Sequence, residues 1–241
     1  MKELTLPENL KKQISIFTSK LQEIYSSGLI SVILYGSGAS NEFMDKHSNL
    51  NILVILDSLA PDNLKMVSVL VKRFPLIQPL FLTENFINSS IDVFPIEFLD
   101  MQENYSVLCG KDILKDIRID TANLRFQCEH EIKGKIIHLR QLYLKLCNNE
   151  KLLRELLFKS ASSVLHILRN VLRLKTKQRP PYQKQDILKA VRENLGIDAA
   201  YLERILSAKN KQIKLNSNEI ESVFAGFIGE LERIADIVDK L

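Results

Sequence analysis

Gly36 and Ser37 directly follow a run of branched apolar residues, and an Asn-x-Asn pair stands shortly after them at Asn49 and Asn51. In a Gly-Ser turn that follows a strand, backbone N–H groups can face an anion, and the Ser37 hydroxyl adds a donor. Side chains at positions i and i+2 of a strand project to one face, so Asn49 and Asn51 would present two amides together. The spacing predicts a phosphate-binding turn beside two uncharged side chains.

Short β-type segments and amphipathic helices surround these residues and would position them. The segments SVILYG and LNILVIL predict two strands, IQPLFLT and IDVFPIEFL predict two more, and PENLKKQISIFTSKLQEIYSSG and DNLKMVSVLVKRF predict helices. The first hundred residues therefore predict a small mixed sheet packed on helices. Pro79 and Pro95 lack a backbone donor, so we expect their segments to carry a bulge or to lie near a sheet edge.

The order strand, Gly-Ser, loop and second strand resembles the nucleotidyltransferase superfamily related to DNA polymerase beta. The resemblance is strongest to small bacterial nucleotidyltransferases such as aminoglycoside adenylyltransferases, and it covers roughly residues 31–98. The family pattern has Ser-Asp-x-Asp at the head of the second strand and a third carboxylate on a later strand. Here Ser48-Asn49-Leu50-Asn51 stands in that place, so Asn occupies both of the usual metal-ligand positions.

Glu97 is our candidate for the third carboxylate. In FPIEF it resembles the strand glutamate that acts as catalytic base in the adenylyltransferases, and Asp92 is the competing residue. On a strand, residues 92 and 97 would point to opposite faces, so only one could face the site. We favour Glu97 because it lies between apolar neighbours, whereas Asp92 follows Asn88-Ser89-Ser90 and can be a loop or cap residue. A surface or ion-paired carboxylate is the other interpretation of Glu97.

The Asn pair predicts that catalysis is impaired. In the family, paired carboxylates hold Mg²⁺, which bridges phosphate oxygens and stabilises the attacking and leaving groups. Mg²⁺ prefers anionic oxygen ligands, so a neutral Asn pair indicates at most weak Mg²⁺ binding. Asp57 is a poor substitute because it lies at the other end of the second strand, and Asp45 would serve only if its loop folds back. Binding of a nucleoside triphosphate could survive without the metal.

From about Met101 onward the periodicity becomes helical. Two long amphipathic segments and three further ones predict five helices, with KQRPPYQKQ as the linker after the second: TANLRFQCEHEIKGKIIHLRQLYLKL, KLLRELLFKSASSVLHILRNVLRLK, DILKAVRENLG, AAYLERILSAK and NEIESVFAGFIGELERIADIVDKL. Residues 1–110 have a net charge of −4 (8 basic, 12 acidic) and residues 111–241 a net charge of +8 (25 basic, 17 acidic). The predicted fold class is α+β: a nucleotidyltransferase-like domain over residues 1–110 and an all-α helical bundle over residues 111–241.

Residues 156–185 contain seven basic residues and no acid. His166, Arg169 and Arg173 recur at helical spacing and share one face, from which Arg169 and Arg173 could reach an anionic ligand in a cleft between the domains. A solvated bundle face, or pairing with the acidic first domain, is the simpler interpretation. Both remain open.

Composition argues against several kinds of structural site and binding partner. Cys109, Cys128 and Cys147 are odd in number and widely spaced, so neither a disulfide framework nor a zinc site is indicated. The first residues lack the apolar run of a signal peptide and no apolar stretch is of membrane-spanning length, so we expect a soluble, cytoplasmic protein. The sequence contains neither a basic arm nor a zinc finger, so nucleic-acid binding is not indicated. The sequence leaves a homodimer or another protein partner open.

Three functions follow as hypotheses. The first is a nucleotidyltransferase-like, catalytically impaired protein that binds a nucleotide or other phosphate ligand between the domains. The second is an active enzyme that transfers a nucleoside monophosphate to a hydroxyl of a small molecule or protein, with Glu97 as base. The third is a structural or partner-interaction module that binds neither.

Overall fold

The computed structural model describes residues 6–40, 49–216 and 219–241. The chain divides into two compact units, Met1–Asp120 and Thr121–Leu241. The first unit contains the strands and the second is helical. The fold class is therefore α+β, as predicted.

The first unit alternates helices and strands around one sheet. Its helices and strands, in chain order, are α1 (Glu8–Tyr25), β1 (Leu29–Tyr35), β2 (Leu50–Leu56), α2 (Pro61–Arg73), β3 (Ile77–Thr83), α3 (Glu84–Ser90), α4 (Pro95–Glu103) and β4 (Tyr105–Gly110). The predictions of α1, β1, β2, α2 and β3 are confirmed.

The predicted strand over IDVFPIEFL is wrong. Residues 91–93 form a turn, and α4 begins at Pro95 and carries Glu97 in its first turn. Proline suits the first position of a helix because the N–H that it lacks has no partner there anyway. Buried Pro95, Phe98 and Met101 recur every third residue, which is the helical rather than the extended period. The fourth strand is instead β4, within the region that the sequence predicted to be helical.

The sheet order is β3-β2-β1-β4. β1 runs antiparallel to both β2 and β4, and β2 runs parallel to β3. β3 is an edge strand, which confirms the edge position expected for the segment that contains Pro79.

Alternate residues of β1 and β2 enter two separate apolar cores. Val32, Leu34, Ile52 and Val54 pack with residues of α1 and α2 on one face of the sheet. Ile33, Leu53 and Ile55 pack on the other face, with residues of α3 and α4. Burial on both faces explains why these two strands are continuously apolar in sequence.

The second unit contains the five predicted helices: α5 (Thr121–Leu146), α6 (Glu150–Thr176), α7 (Lys184–Leu195), α8 (Ala200–Lys209) and α9 (Ile220–Val238). Helix α6 packs against each of the other four. The predicted linker separates α6 from α7. None of the helices in the described part of the chain is both long enough and apolar enough to cross a membrane.

A buried carboxylate joins α9 to α8. Glu230 is 2% exposed, and its two oxygens accept hydrogen bonds from the backbone N–H groups of Tyr201 (2.8 Å) and Leu202 (3.0 Å). These N–H groups belong to the first turn of α8 and have no acceptor within that helix. Glu230 therefore caps α8 from a neighbouring helix.

Candidate functional site

The turn after β1 is shaped by Gly36. A short 3₁₀ turn covers Gly36–Ala39, and Gly36 has φ +71°, which disfavours any residue with a Cβ. Its N–H donates to the carbonyl of Asn104, just before β4, at 2.9 Å. Gly38 is buried, and a Cβ there would lie 3.3 Å from both Leu34 and Leu50 side chains. The turn is therefore fixed to β1, β2 and β4.

Asn51 lies beside this turn. It is the register partner of Tyr35, the last residue of β1, and it is half-buried. A Cβ at Gly36 would lie 3.3 Å from the Asn51 Nδ2 atom. Asn49 precedes β2 and is exposed. The structure thus brings Asn51 to the Gly36–Ser37 turn, with Asn49 two residues before it along the chain.

A row of uncharged side chains crosses the whole sheet at this level. Tyr35 pairs with Tyr105 on β4 and with Asn51 on β2, and Asn51 pairs with Gln78 on β3. Residues in register on adjacent strands share a face. This row, Tyr105–Tyr35–Asn51–Gln78, is called the amide row below.

Gln78 is a member of the amide row that the sequence did not indicate. It stands on the later strand next to Asn51, which is where a third acidic residue could join the pair, and its Nε2 donates to the Pro75 carbonyl at 3.2 Å. The segment IQPLFLT was predicted as a strand, but nothing in it indicates that it pairs in parallel with β2 or in which register. A local pattern does not fix a long-range register.

Both tyrosines of the amide row remain neutral at physiological pH. Burial raises the pKa of Tyr35 above its ordinary value. Burial, followed by the hydrogen bond to Asp112 (3.1 Å) and the charges of Asp112 and Asp116, raises the pKa of Tyr105 to about 12. The row therefore carries no formal charge from one sheet edge to the other.

None of the predicted carboxylates belongs to the amide row. Glu97 is exposed on α4, a helix that contacts the Gly36–Ala39 turn, so the argument from strand alternation no longer applies to it. Its role as catalytic base stays a prediction. Asp92 is an exposed turn residue, as the alternative interpretation had it. Asp57 follows β2 at the end opposite Asn51, and Asp45 lies outside the described residues.

Arg169 and Arg173 lie on α6, together with His166, as predicted. Arg169 is buried, its Nε donates to the Pro181 carbonyl at 3.0 Å, and its guanidinium lies 3.9 Å from the centre of the Tyr182 ring. Arg173 donates to the Asn170 side chain. Arg169 thus holds the linker that follows α6. Ligand binding by either arginine stays a prediction.

The residues present do not fit a magnesium ion. Mg²⁺ is held by anionic oxygens in octahedral geometry, whereas Asn49, Asn51 and Gln78 offer neutral amide oxygens. Across residues 6–40, 49–216 and 219–241, no group of three or more His, Cys, Asp or Glu side chains could hold a metal ion.

The chain matches a solved adenyltransferase in fold over most of its length. The spectinomycin adenyltransferase AAD(9) from Enterococcus faecialis, in a crystal structure with ATP and spectinomycin, superposes with a TM-score of 0.59, covering 92% of this chain and 99% of that one. This chain has the nucleotidyltransferase fold. The sequence identity is 14%, so the likeness concerns the fold alone. No protein-family model matches the chain, and no curated protein matches it in sequence.

Within this nucleotidyltransferase fold, three of the predicted site residues of the first unit meet at one end of the sheet. Gly36, Ser37 and Asn51 are adjacent, and Gln78 extends the same face. The arrangement offers hydrogen-bond donors from amide side chains and from a short 3₁₀ turn, without a charged oxygen in the amide row. Chemically it can receive the oxygens of an anion.

Proposed function

We propose that this nucleotidyltransferase-fold protein binds a nucleoside triphosphate, or another phosphate ligand, at the Gly36–Ser37 turn and is impaired in metal-dependent nucleotidyl transfer. The observation that carries the proposal is the amide row: Asn51 lies against Gly36 and in register with Gln78. The uncharged row weakens catalysis while it favours an anionic ligand.

Impaired catalysis follows from the missing charge. Two-metal or single-metal phosphoryl transfer relies on carboxylates that hold the cation, which neutralises charge as it develops on the phosphate. Asn49 and Asn51 provide none of this charge, and Gln78 beside them provides none either. A nucleophilic hydroxyl at this site would therefore have no bound cation to lower its pKa.

Anion binding follows from the donors. An Asn or Gln side chain has two N–H donors. The Gly36 N–H is already bound to the Asn104 carbonyl, but those of Ser37 and Gly38 have no acceptor within the 3₁₀ turn that they begin. In the absence of a metal, a carboxylate at Asn51 would repel a phosphate oxygen, whereas its amide can donate to one. The site therefore needs no cation to receive a phosphate.

A nucleotide is the ligand class to test first. The structure that shares the fold contains ATP, and the Gly-Ser turn is the feature by which the sequence resembles the superfamily. Calorimetry with ATP, GTP, CTP and UTP, each with and without Mg²⁺, measures both affinity and metal dependence. We expect the unchanged protein to bind nucleotide with the same affinity in the presence and in the absence of Mg²⁺.

The Asn49→Asp/Asn51→Asp variant tests the role of the amides. Without Mg²⁺ it should bind nucleotide at least about tenfold more weakly than the unchanged protein, because two negative charges now face the phosphates. Its nucleotide affinity should rise again when Mg²⁺ is added. The matched control is Asn85→Asp/Asn88→Asp, which adds the same charge on α3, beyond the opposite end of β3. The control should bind like the unchanged protein.

Two results would overturn the proposal. Absence of nucleotide and phosphate binding by the unchanged protein would leave the fold as a scaffold. Mg²⁺-dependent release of pyrophosphate by the unchanged protein would show an active enzyme, and loss of that release in Glu97→Gln, with nucleotide affinity retained, would then identify Glu97 as the base.

A further inference from the structure

Helix α5 carries a line of exposed apolar side chains along most of its length. Phe126 is 65% exposed, Ile137 is 57% exposed and Leu144 is 80% exposed. Their spacings of eleven and seven residues place them within about 20° of one another around the helix axis. They form one line, called the α5 stripe below, on the side away from most of the residues that α5 buries. The half-exposed Lys133, ion-paired with Glu129, lies in the same line.

Two further residues lie beside the α5 stripe, both on the same flank. The His130 ring stacks on Phe126, with centroids 6.4 Å apart and planes at 26°. Gly134 lies near the middle of the helix, and a Cβ there would meet nothing within 4 Å. A mid-helix Gly costs about 1 kcal/mol relative to Ala, and no described residue of the chain needs the space that this Gly leaves. Close approach of another helix would use that space.

The α5 stripe is complementary to itself. Phe126 stands nine residues before Lys135 and Leu144 stands nine residues after it. A two-fold axis perpendicular to α5 at the level of Lys135 would place Phe126 of each copy opposite Leu144 of the other copy. Such an isologous contact is the usual geometry of a homodimer.

The charges beside the α5 stripe fit the same pairing. Glu129 and Arg140 lie on the same side of the stripe, six residues before and five residues after Lys135. In an antiparallel pair the same flanks of the two helices meet, so Glu129 of one copy would lie near Arg140 of the other. A parallel pair would not bring them together. At present Glu129 pairs with Arg125 and Lys133, and Arg140 pairs with Glu232. These side chains are partly exposed, between 19% for Glu129 and 58% for Arg140, and can share a second partner.

We propose that a second copy of this chain packs antiparallel on the α5 stripe and forms a two-fold symmetric dimer whose axis crosses α5 at the level of Gly134 and Lys135. The apolar contact is one helix wide, so its area falls at the small end of specific interfaces, which total about 1,200–2,000 Å². The dimer is therefore concentration-dependent, and dissociates on dilution.

Sedimentation velocity over a wide concentration range, from roughly micromolar to hundreds of micromolar, tests the dimer. The unchanged protein should shift from monomer to dimer. Ile137→Glu and Leu144→Glu should each remain monomeric at every concentration, with an unchanged circular dichroism spectrum because both side chains are exposed. The matched control is Val69→Glu on α2, where an equally exposed β-branched residue (62%) lies in the other unit. It should dimerise normally.

A charge exchange tests the antiparallel geometry. Glu129→Arg and Arg140→Glu should each weaken dimerisation, by placing like charges together, and the double variant should restore it. A protein that is monomeric at all concentrations, or a dimer that Ile137→Glu and Leu144→Glu leave intact, would overturn the proposal. A dimer that the double exchange fails to restore would contradict the antiparallel arrangement.

Discussion

Asn51 on β2 and Gln78 on β3 lie side by side, in register, in a parallel strand pair. Their side chains share one face of the sheet at the end where the Gly36 turn lies. Two neighbouring strands therefore present amides together, at the end of the sheet where the resemblance to the superfamily predicts carboxylates.

Restoring acids at all three positions should create a cation site. We expect Asn49→Asp/Asn51→Asp/Gln78→Glu to bind Mg²⁺ or Mn²⁺ more tightly than the double Asp variant, because a third anionic oxygen joins the pair. Gln78→Glu alone should not bind either cation measurably. Titration of Mn²⁺ followed by electron paramagnetic resonance distinguishes the three proteins, and equal affinities in the triple and double variants would argue against the register described here.

Gly36→Ala should destabilise the protein by about 1–2 kcal/mol, since residue 36 must keep a left-handed backbone conformation. The added methyl group would also press on the Asn51 amide, so nucleotide affinity should fall. Urea unfolding and calorimetry measure the two effects. The control is Gly229→Ala in helix α9, where the Cβ meets nothing within 4 Å and stability should rise by up to about 1 kcal/mol.

Glu230→Ala should destabilise the helical unit by about 2–4 kcal/mol, because the N–H groups of Tyr201 and Leu202 both lose their acceptor in a buried setting. Urea unfolding at neutral pH measures the loss. Glu232→Ala, an exposed acid two residues away, should change stability by less than about 1 kcal/mol. Similar losses in both variants would contradict the capping role.

Stability should also depend on pH through Glu230. Burial raises the pKa of this carboxyl in the folded protein, against the opposing effect of the two N–H donors. The folded state therefore holds this proton more tightly than the unfolded state, so the contribution is present below the unfolded pKa, about 4.3, and is lost as pH rises through the folded pKa. Relative to Glu230→Gln, the unchanged protein should lose stability over that interval. A constant difference between pH 4 and 8 would exclude this linkage.

Arg169→Ala should lower the free energy of unfolding by about 2–3 kcal/mol, since Arg169 loses both its hydrogen bond to Pro181 and its stacking on Tyr182. Arg169→Lys should restore little, because an ammonium group lacks the planar shape of the guanidinium. Arg204→Ala removes an exposed ion pair with Glu219 and should cost less than about 1 kcal/mol. Urea unfolding compares the three variants.

The sequence by itself determined the long helices, the buried strands β1 and β2, and the turn at Gly36. These features repeat an apolar pattern over many residues or, at the turn, rely on one residue type with unusual backbone freedom, and both signals are local. It also shows Asn at positions 49 and 51, where the resemblance to the superfamily predicts carboxylates.

Only the tertiary structure decided which strand lies beside Asn51. The segment around Glu97 is too short and too apolar for its period to separate helix from strand, and packing of Phe98 and Met101 on the sheet made it helix α4. The pairing of β2 with β3 joins residues 27 positions apart and placed Gln78, rather than Glu97, in register with Asn51. Register depends on which faces are buried together across the sheet, and a local sequence pattern does not contain that information.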